Sequence, residues 1–153
     1  MTAVDQAAAT AAAVVWALAR VGDTGYALRC LAFVEDAYER ANEIEVFGGA
    51  SATESAALYG LSSYSGNEPP PAGSLVFYAC GGPVDGTWRD WGHVGLALGD
   101  GRVVHAWDAV RVDAAAAVEE LEPAAGWTRP RLVGWASVER VLEGHRARRW
   151  PVG

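Results

Sequence analysis

Apolar residues recur at spacings of three and four along the first half of the chain. This spacing predicts a helix over residues 27–42, and an alanine-rich run with the cluster Val14, Val15 and Leu18 predicts another over residues 5–20. A third, shorter helix is predicted in "GGASATESAALYG", where Ser51 or Thr53 can cap the first turn and Glu54 lies within it. The following stretch, "SSYSGNEPPPAG", predicts a loop, because three successive prolines interrupt regular structure.

The second half contains short apolar runs rich in β-branched residues, which are typical of strands. The predicted strands are "SLVFYAC" (74–80), "GHVGLALG" (92–99), "RVVHAW" (102–107), "VRVD" (110–113) and "RPRLVGWASV" (129–138). A short helix is predicted in "AAAAVEELEP", and Asp100-Gly101 is typical of a two-residue hairpin turn. Helices followed by antiparallel strands indicate an α+β fold, with N-terminal helices packed on a mainly antiparallel sheet.

Length and charge narrow the class of protein. The 153 residues suit one domain over 1–153, with a core of about 3–142 and a basic, solvated tail at 143–153. The net charge of -7 argues against nucleic acid or an anionic membrane as the main partner. The apolar run at 7–19 lacks a basic flank and is too short to span a bilayer. We therefore expect neither a signal peptide nor a transmembrane segment, and a chain that is cytoplasmic as synthesised.

Cys30 is the first candidate for chemistry, since it lies in the first turn of the predicted second helix. The helix dipole and the free backbone N–H groups of that turn would lower the pKa of the thiol and could bind an oxyanion. An equally open alternative is a small buried hydrophobe. Cys80 ends a predicted strand and is expected to pack there. Free thiols are favoured, although a disulfide between the two cysteines stays open.

His93 and His105 lie on the two strands of the predicted hairpin. With a two-residue turn, His105 would lie opposite Leu96. Because Leu96 is three residues from His93, the two imidazoles would then point to opposite faces. A bulge or a longer loop would bring them to one face. Each histidine alone is more often an ordinary core or edge residue.

Other reactive residues give weaker signals. A metal site is not expected, because the cysteines and histidines show no close pairs of the kind that zinc sites use. No cofactor motif is present in the sequence. Asp108 is expected to meet solvent or Arg111, and His145 in the basic tail is expected to have no role.

Five stretches, in the same order, resemble the NlpC/P60 cysteine peptidase family, which has a papain-like fold and cuts amide bonds in cell-wall peptides. "CLAFVEDAY" resembles the nucleophile helix of the family, and "PPPAGSLVFY" the strand that follows. "GHVGLALGDG" resembles its catalytic-histidine strand and "VVHA" the next strand. "LVGWASV" resembles its closing strand. The resemblance spans about residues 3–142.

The resemblance implies a role for each matched residue. Cys30 would be the nucleophile, His93 its general base, and His105 the residue that orients the imidazole. The backbone N–H of Cys30 would contribute to an oxyanion hole, with Tyr26 as a tentative side-chain donor. Both histidines face the thiol in the family, so we expect the hairpin to depart from a tight two-residue register and to turn both rings toward Cys30.

The chain departs from the family next to the thiol. The family's Asp-Cys-Ser-Gly is Arg29-Cys30-Leu31-Ala32 here, and its Gly-Asp-Leu is Gly73-Ser74-Leu75. The missing Asp and Ser help to bind a substrate amine in the family, so that specificity is not expected to carry over.

Three other side chains near the thiol or the histidines are candidates for substrate contact. Arg29 would stabilise a thiolate, receive a substrate carboxylate, or simply meet solvent. Trp91 and Trp107 flank the histidines and are candidates for lining a substrate groove, with core packing as the alternative.

The function expected from these residues is that of a thiol hydrolase. It would cleave an amide bond in cell-wall-type peptides, as a peptidoglycan endopeptidase or amidase, through a Cys-His-His triad and a thioester. The alternatives are an acyltransferase or transpeptidase on the same fold, and a catalytically inactive peptide-binding module. The expected partner is a peptide or peptidoglycan stem, with no nucleic acid and no membrane. The chain would reach the wall by a route other than a signal peptide, as an effector or lysis protein does.

Overall fold

The computed structural model describes residues 5–65 and 67–151. The predicted elements occur in the predicted order, and five short elements that were not predicted lie at 44–45, 81–84, 87–90, 138–142 and 146–147. The α-helices are α1 (Gln6–Leu18), α2 (Cys30–Asn42), α3 (Ala52–Tyr59) and α4 (Val138–Leu142). The strands are β1 (Ile44–Glu45), β2 (Leu75–Ala79), β3 (Gly81–Val84), β4 (Thr87–Asp90), β5 (His93–Ala97), β6 (Arg102–Ala106), β7 (Val110–Ala114), β8 (Arg131–Ala136) and β9 (Arg146–Ala147). A 3-10 helix spans Ala117–Glu120.

Five strands form the central antiparallel sheet, in the order β7-β6-β5-β2-β8. Alternation along β2 divides its side chains between the two faces of this sheet. Leu75 and Phe77 join the main core with Phe33 and Tyr38 of α2, whereas Val76 belongs to a smaller cluster on the other face. The expected α+β arrangement, helices on a mainly antiparallel sheet, is therefore confirmed.

The β5–β6 hairpin differs from the predicted two-residue turn. Leu96 pairs with Val104, and the loop comprises Gly99, Asp100 and Gly101. Both glycines have a φ of 92°, a left-handed conformation that glycine adopts without steric cost. The extra loop residue shifts the register by one, so that positions 93 and 105 share a face. The two-residue turn was wrong, and the departure from a tight register is confirmed.

Helix α2 begins three residues later than predicted, at Cys30. Leu28 has a left-handed φ of 62°, and Arg29, at φ -131° and ψ 44°, is not helical. These two residues cannot extend the helix toward its N-terminus, so Cys30 becomes its first residue. The predicted cap of α3 is Ser51, whose side chain accepts a hydrogen bond from the Glu54 N–H.

The basic tail is paired with the rest of the fold over its described residues, although residues 146–149 are exposed to solvent. Strand β9 pairs with β1, and the indole N–H of Trp150 donates to the Ile44 carbonyl at 2.7 Å. The guanidinium groups of Arg40 and Arg148 lie 5.2 and 4.1 Å from the Trp150 ring. Sequence patterns missed this pairing because a two-residue strand carries no periodicity. Within the described ranges, no helix has the length and apolarity needed to cross a membrane.

Candidate active site

Cys30 lies at the N-terminus of α2, in the wall of a cavity of about 870 Å³. Burial raises the pKa of its thiol to about 11, while the backbone N–H groups of Val94, Leu31 and Cys30 itself oppose this rise. The expected lowering of the pKa by the helix N-terminus was therefore wrong, because desolvation outweighs the N–H groups. A thiol with this pKa is neutral near pH 7.

A continuous series of hydrogen bonds leads away from His93. Its Nε2 lies 2.8 Å from Nδ1 of His105, and Nε2 of His105 lies 2.8 Å from a carboxylate oxygen of Asp113. Arg111 donates from Nε to the same oxygen at 2.8 Å. His93 and His105 are both buried. The three side chains come from the neighbouring strands β5, β6 and β7.

The carboxylate determines which ring nitrogens carry protons. Asp113 as an anion only accepts, so Nε2 of His105 must donate to it. In neutral His105 the other nitrogen, Nδ1, is then an acceptor, and Nε2 of His93 must donate to it. In neutral His93 this leaves Nδ1 without a proton. Nδ1 of His93, at the end of the hydrogen-bonded series, is therefore an unprotonated nitrogen that can accept a proton.

The pKa values support this assignment of neutral rings and a charged carboxylate. Burial lowers the pKa of His93 well below 6.5, and the neighbouring His105 lowers it further. Burial also lowers the pKa of His105, and this outweighs the opposing hydrogen bond from Asp113. For Asp113, burial raises the pKa, but the hydrogen bonds from His105 and Arg111 prevail and leave it below 3.8.

Cys30 and His93 line the same cavity, and the N–H of Val94, the residue after His93, faces the Cys30 sulfur. No hydrogen bond joins the Cys30 sulfur to the His93 ring among the residues that the structure describes. Such contacts often tighten only when substrate is bound. The His93 ring is held edge-on by Trp107, at a centroid distance of 5.1 Å.

The remaining predicted site residues divide into two groups. Arg29, Trp91 and Trp107 line the cavity with Cys30. Tyr26 is not among the lining residues, and its hydroxyl donates to Asp36 of α2 at 2.6 Å. The tentative assignment of Tyr26 as an oxyanion donor therefore disagrees with the structure, because that hydroxyl is committed elsewhere.

Two residues given little weight in the sequence also line the cavity. Cys80 is a buried free thiol that donates weakly to the Thr128 carbonyl, and burial raises its pKa to about 11. Asp108 forms the expected ion pair with Arg111, at 3.5 Å. Among the described residues, neither of these side chains forms a hydrogen bond with His93 or His105.

Asp113 is the functional candidate that sequence reasoning missed. It lies on β7, and its neighbour across the ladder is Val103 of β6, two residues from His105. The signal was present in "VRVD", since an acidic residue on a short strand next to a histidine strand can reach its imidazole. Finding it required the register of β6 against β7, which depends on the loop between them. The structure groups no three potential metal ligands among its described residues.

Comparison with known proteins supports the fold. No family model matches the chain, and no curated protein matches it. RipD from Mycobacterium tuberculosis, described as a non-catalytic NlpC/p60 domain protein adapted to a peptidoglycan-binding function, is 19% identical, with a TM-score of 0.50 over 82% of this chain and 95% of that chain. The P60 domain of the M. avium paratuberculosis antigen MAP1272c is 17% identical, with a TM-score of 0.45 over 84% and 94% of the two chains. The similarity to RipD shows that the architecture of this chain is of the NlpC/P60 type, and at 19% identity the similarity extends to the fold alone.

Proposed function

We propose that this protein is a thiol hydrolase that cleaves an amide bond, with Cys30 as nucleophile and His93 as general base. The observation that carries the proposal is the series of hydrogen bonds from His93 through His105 to Asp113. Burying two imidazoles and a carboxylate costs desolvation free energy, and a surface that only binds a ligand does not require such a buried series. A histidine that acts as a general base does require hydrogen-bonding partners that fix its tautomer.

The reaction begins with two neutral groups. Nδ1 of His93 takes the thiol proton as the Cys30 sulfur attacks the amide carbonyl carbon. The backbone N–H groups of Cys30 and Leu31 stand at the start of α2, where they can stabilise the developing oxyanion. His93 then returns the proton to the leaving amine, and a thioester remains on Cys30. Water, deprotonated by His93, releases the acid and regenerates the thiol.

His105 and Asp113 act through His93 and are positioning residues. They hold the His93 ring and its tautomer, and the Asp113 charge stabilises the imidazolium that forms in each proton transfer. An amine in place of water would resolve the same thioester, so an acyltransferase would use identical machinery.

The substrate class we propose is a peptide of the cell-wall type. Its support is the resemblance of the hairpin sequence to wall-cleaving peptidases and the peptidoglycan-binding role described for RipD.

Digestion of purified peptidoglycan, followed by mass spectrometry of the released peptides, tests the proposal. The wild type and Cys80→Ala are expected to release the same fragments, whereas Cys30→Ala and His93→Ala release none. Cys80 is a matched control because its thiol lines the same cavity and has a similarly raised pKa. Equal digestion by Cys30→Ala would overturn the proposal. Sedimentation of wild type with peptidoglycan that it leaves uncut would instead indicate a binding module.

A further inference from the structure

Leu28 combines two properties that leucine rarely has together. Its backbone is in the left-handed region, with a φ of 62°, and its side chain is 77% exposed. A left-handed backbone costs an L residue free energy, and an exposed leucine side chain recovers none of it by burial in the core. Leu28 lies two residues before Cys30 and in the wall of the same cavity. The strained backbone of Leu28 therefore holds an apolar side chain exposed to water beside Cys30.

The surrounding wall is also largely apolar. Leu31 follows the thiol, Val84 comes from the β3–β4 hairpin, and three tryptophans complete the aromatic part: Trp91, Trp107 and Trp127. Cavities with such linings bind ligands that carry apolar groups, since water leaves both surfaces on binding. Val84, like Leu28, is an exposed hydrophobic residue.

The charged side chains of the wall are mainly acidic. Glu35, Asp108 and Glu122 are carboxylates, and Arg29 is the basic residue among the lining side chains. Burial, followed by the charges of Glu39 and Asp36, raises the pKa of Glu35 to about 7. With this pKa, Glu35 is only partly ionised near neutral pH. Asp108 and Glu122 are therefore the anionic groups that a substrate carboxylate would meet, and Arg29 is the cationic one.

We propose that the acyl half of the substrate carries an uncharged aliphatic or aromatic group, which Leu28 and the tryptophans of the cavity bind. This inference rests on the proposed function and narrows its substrate class, because the acyl half is the part that stays bonded to Cys30 as the thioester. A γ-glutamyl group, with its free carboxylate, fits this wall less well than an apolar residue or an N-acyl chain.

Activated esters test the acyl half directly. The Cys30 sulfur attacks the carbonyl of a p-nitrophenyl ester, the C–O bond to the phenol breaks, and p-nitrophenolate leaves. The thiol proton passes to His93 and then to solvent, and water hydrolyses the thioester to the free acid. The rate of p-nitrophenolate release by the wild type in the first turnover, minus the rate measured with Cys30→Ala, gives the acylation rate, and intact-mass spectrometry confirms the adduct on Cys30.

The probes are acetyl, valeryl, hexanoyl, phenylacetyl and glutaryl esters, each rate being divided by that of free cysteine. We expect hexanoyl and phenylacetyl esters to exceed acetyl by at least about tenfold, because each buried methylene adds favourable transfer free energy. We expect glutaryl, the anionic counterpart of valeryl, to react more slowly than valeryl. Leu28→Asn and Leu28→Gly, which both tolerate a left-handed backbone, should lower the hexanoyl-to-acetyl ratio several-fold.

Leu58→Asn is the matched control. Leu58 is also an exposed leucine, at 66%, but it lies on α3 and outside the cavity lining. Its replacement should leave the hexanoyl-to-acetyl ratio unchanged. Acylation of Cys30 at rates independent of the acyl group, or faster with glutaryl than with valeryl, would overturn the inference and leave the thiol hydrolase standing. Failure of every ester to acylate Cys30 would overturn the proposed function and this inference with it.

Discussion

Asp113 is the residue on which the tautomers of both histidines depend. Its carboxylate accepts a hydrogen bond from Nε2 of His105, so Nδ1 of His105 must accept and Nε2 of His93 must donate. An amide in place of the carboxylate can reverse the direction of both hydrogen bonds, because it offers an N–H donor. An Asn amide can donate to His105, which would place the His105 proton on Nδ1 and the His93 proton on the nitrogen that must act as base.

Asp113→Asn should therefore lower kcat by about a hundredfold or more while KM changes little, since the wrong tautomer removes the general base without altering the cavity. Steady-state kinetics on a peptide or ester substrate would measure the effect. Asp85→Asn is the control, because Asp85 is an exposed turn residue with a left-handed φ of 50° that Asn also tolerates. A kcat within twofold of wild type for Asp113→Asn would contradict the assigned tautomers.

The protonation state of His93 determines how activity should depend on pH. Catalysis needs this imidazole neutral, and burial holds its pKa well below 6.5. As pH falls, activity is thus retained past 6.5 and is lost only near the lowered pKa. The acid limb of kcat/KM, which reports the free enzyme, should have its midpoint below pH 6.5. A midpoint above 6.5 would indicate a stabilised imidazolium, as in a thiolate–imidazolium pair, and would contradict the neutral resting state.

At the scale of elements, the packing of β5 against β6 depends on a glycine. A Cβ built at Gly95 would lie 3.2 Å from the Cβ of His105 and 3.1 Å from that of Val103. Both contacts are tighter than ordinary packing allows. Because Gly95 has no side chain, β6 can lie close enough to β5 for the His105 ring to contact His93.

Gly95→Ala should displace His105, lengthen its contact with His93 and lower kcat about tenfold or more. Gly101→Ala is the matched control on the same hairpin, where a Cβ meets nothing within 4 Å but the φ of 92° is unfavourable for alanine. That variant should lose about 1 kcal/mol of stability and keep its kcat. Kinetics together with urea unfolding separate the two effects. Full activity in Gly95→Ala would show that the histidine contact does not depend on this glycine.

At the scale of the whole molecule, the residue pattern predicted α1, α2, α3 and the five strands of the central sheet, because those elements bury whole faces. It did not predict α4, since the last strand was expected to continue to Val138. It did not predict the β3–β4 hairpin, whose strand β4 is exposed, or the β1–β9 pair, which is too short to show a pattern. Cys30 and the two histidines are candidates predicted from residue type and order, and their catalytic roles stay a prediction. Asp113 was missed, and the pKa of Cys30 had the wrong direction, because both depend on packing between segments distant in sequence.

The C-terminal segment makes a final prediction at this scale. Trp150 joins this segment to β1 through its indole N–H and to α2 through the Arg40 guanidinium, and the guanidinium of Arg148, from the same segment, also lies over its ring. Trp150→Ala should lower the free energy of unfolding by about 2 kcal/mol, the sum of one hydrogen bond and two cation–π contacts. Trp150→Phe, which keeps the ring and loses the donor, should lower it by about half as much. Urea unfolding measures both, and kcat should stay constant because Trp150 is not among the cavity residues. An unchanged midpoint in Trp150→Ala would mean that the tail contributes nothing to stability and is solvated, as its sequence alone indicates.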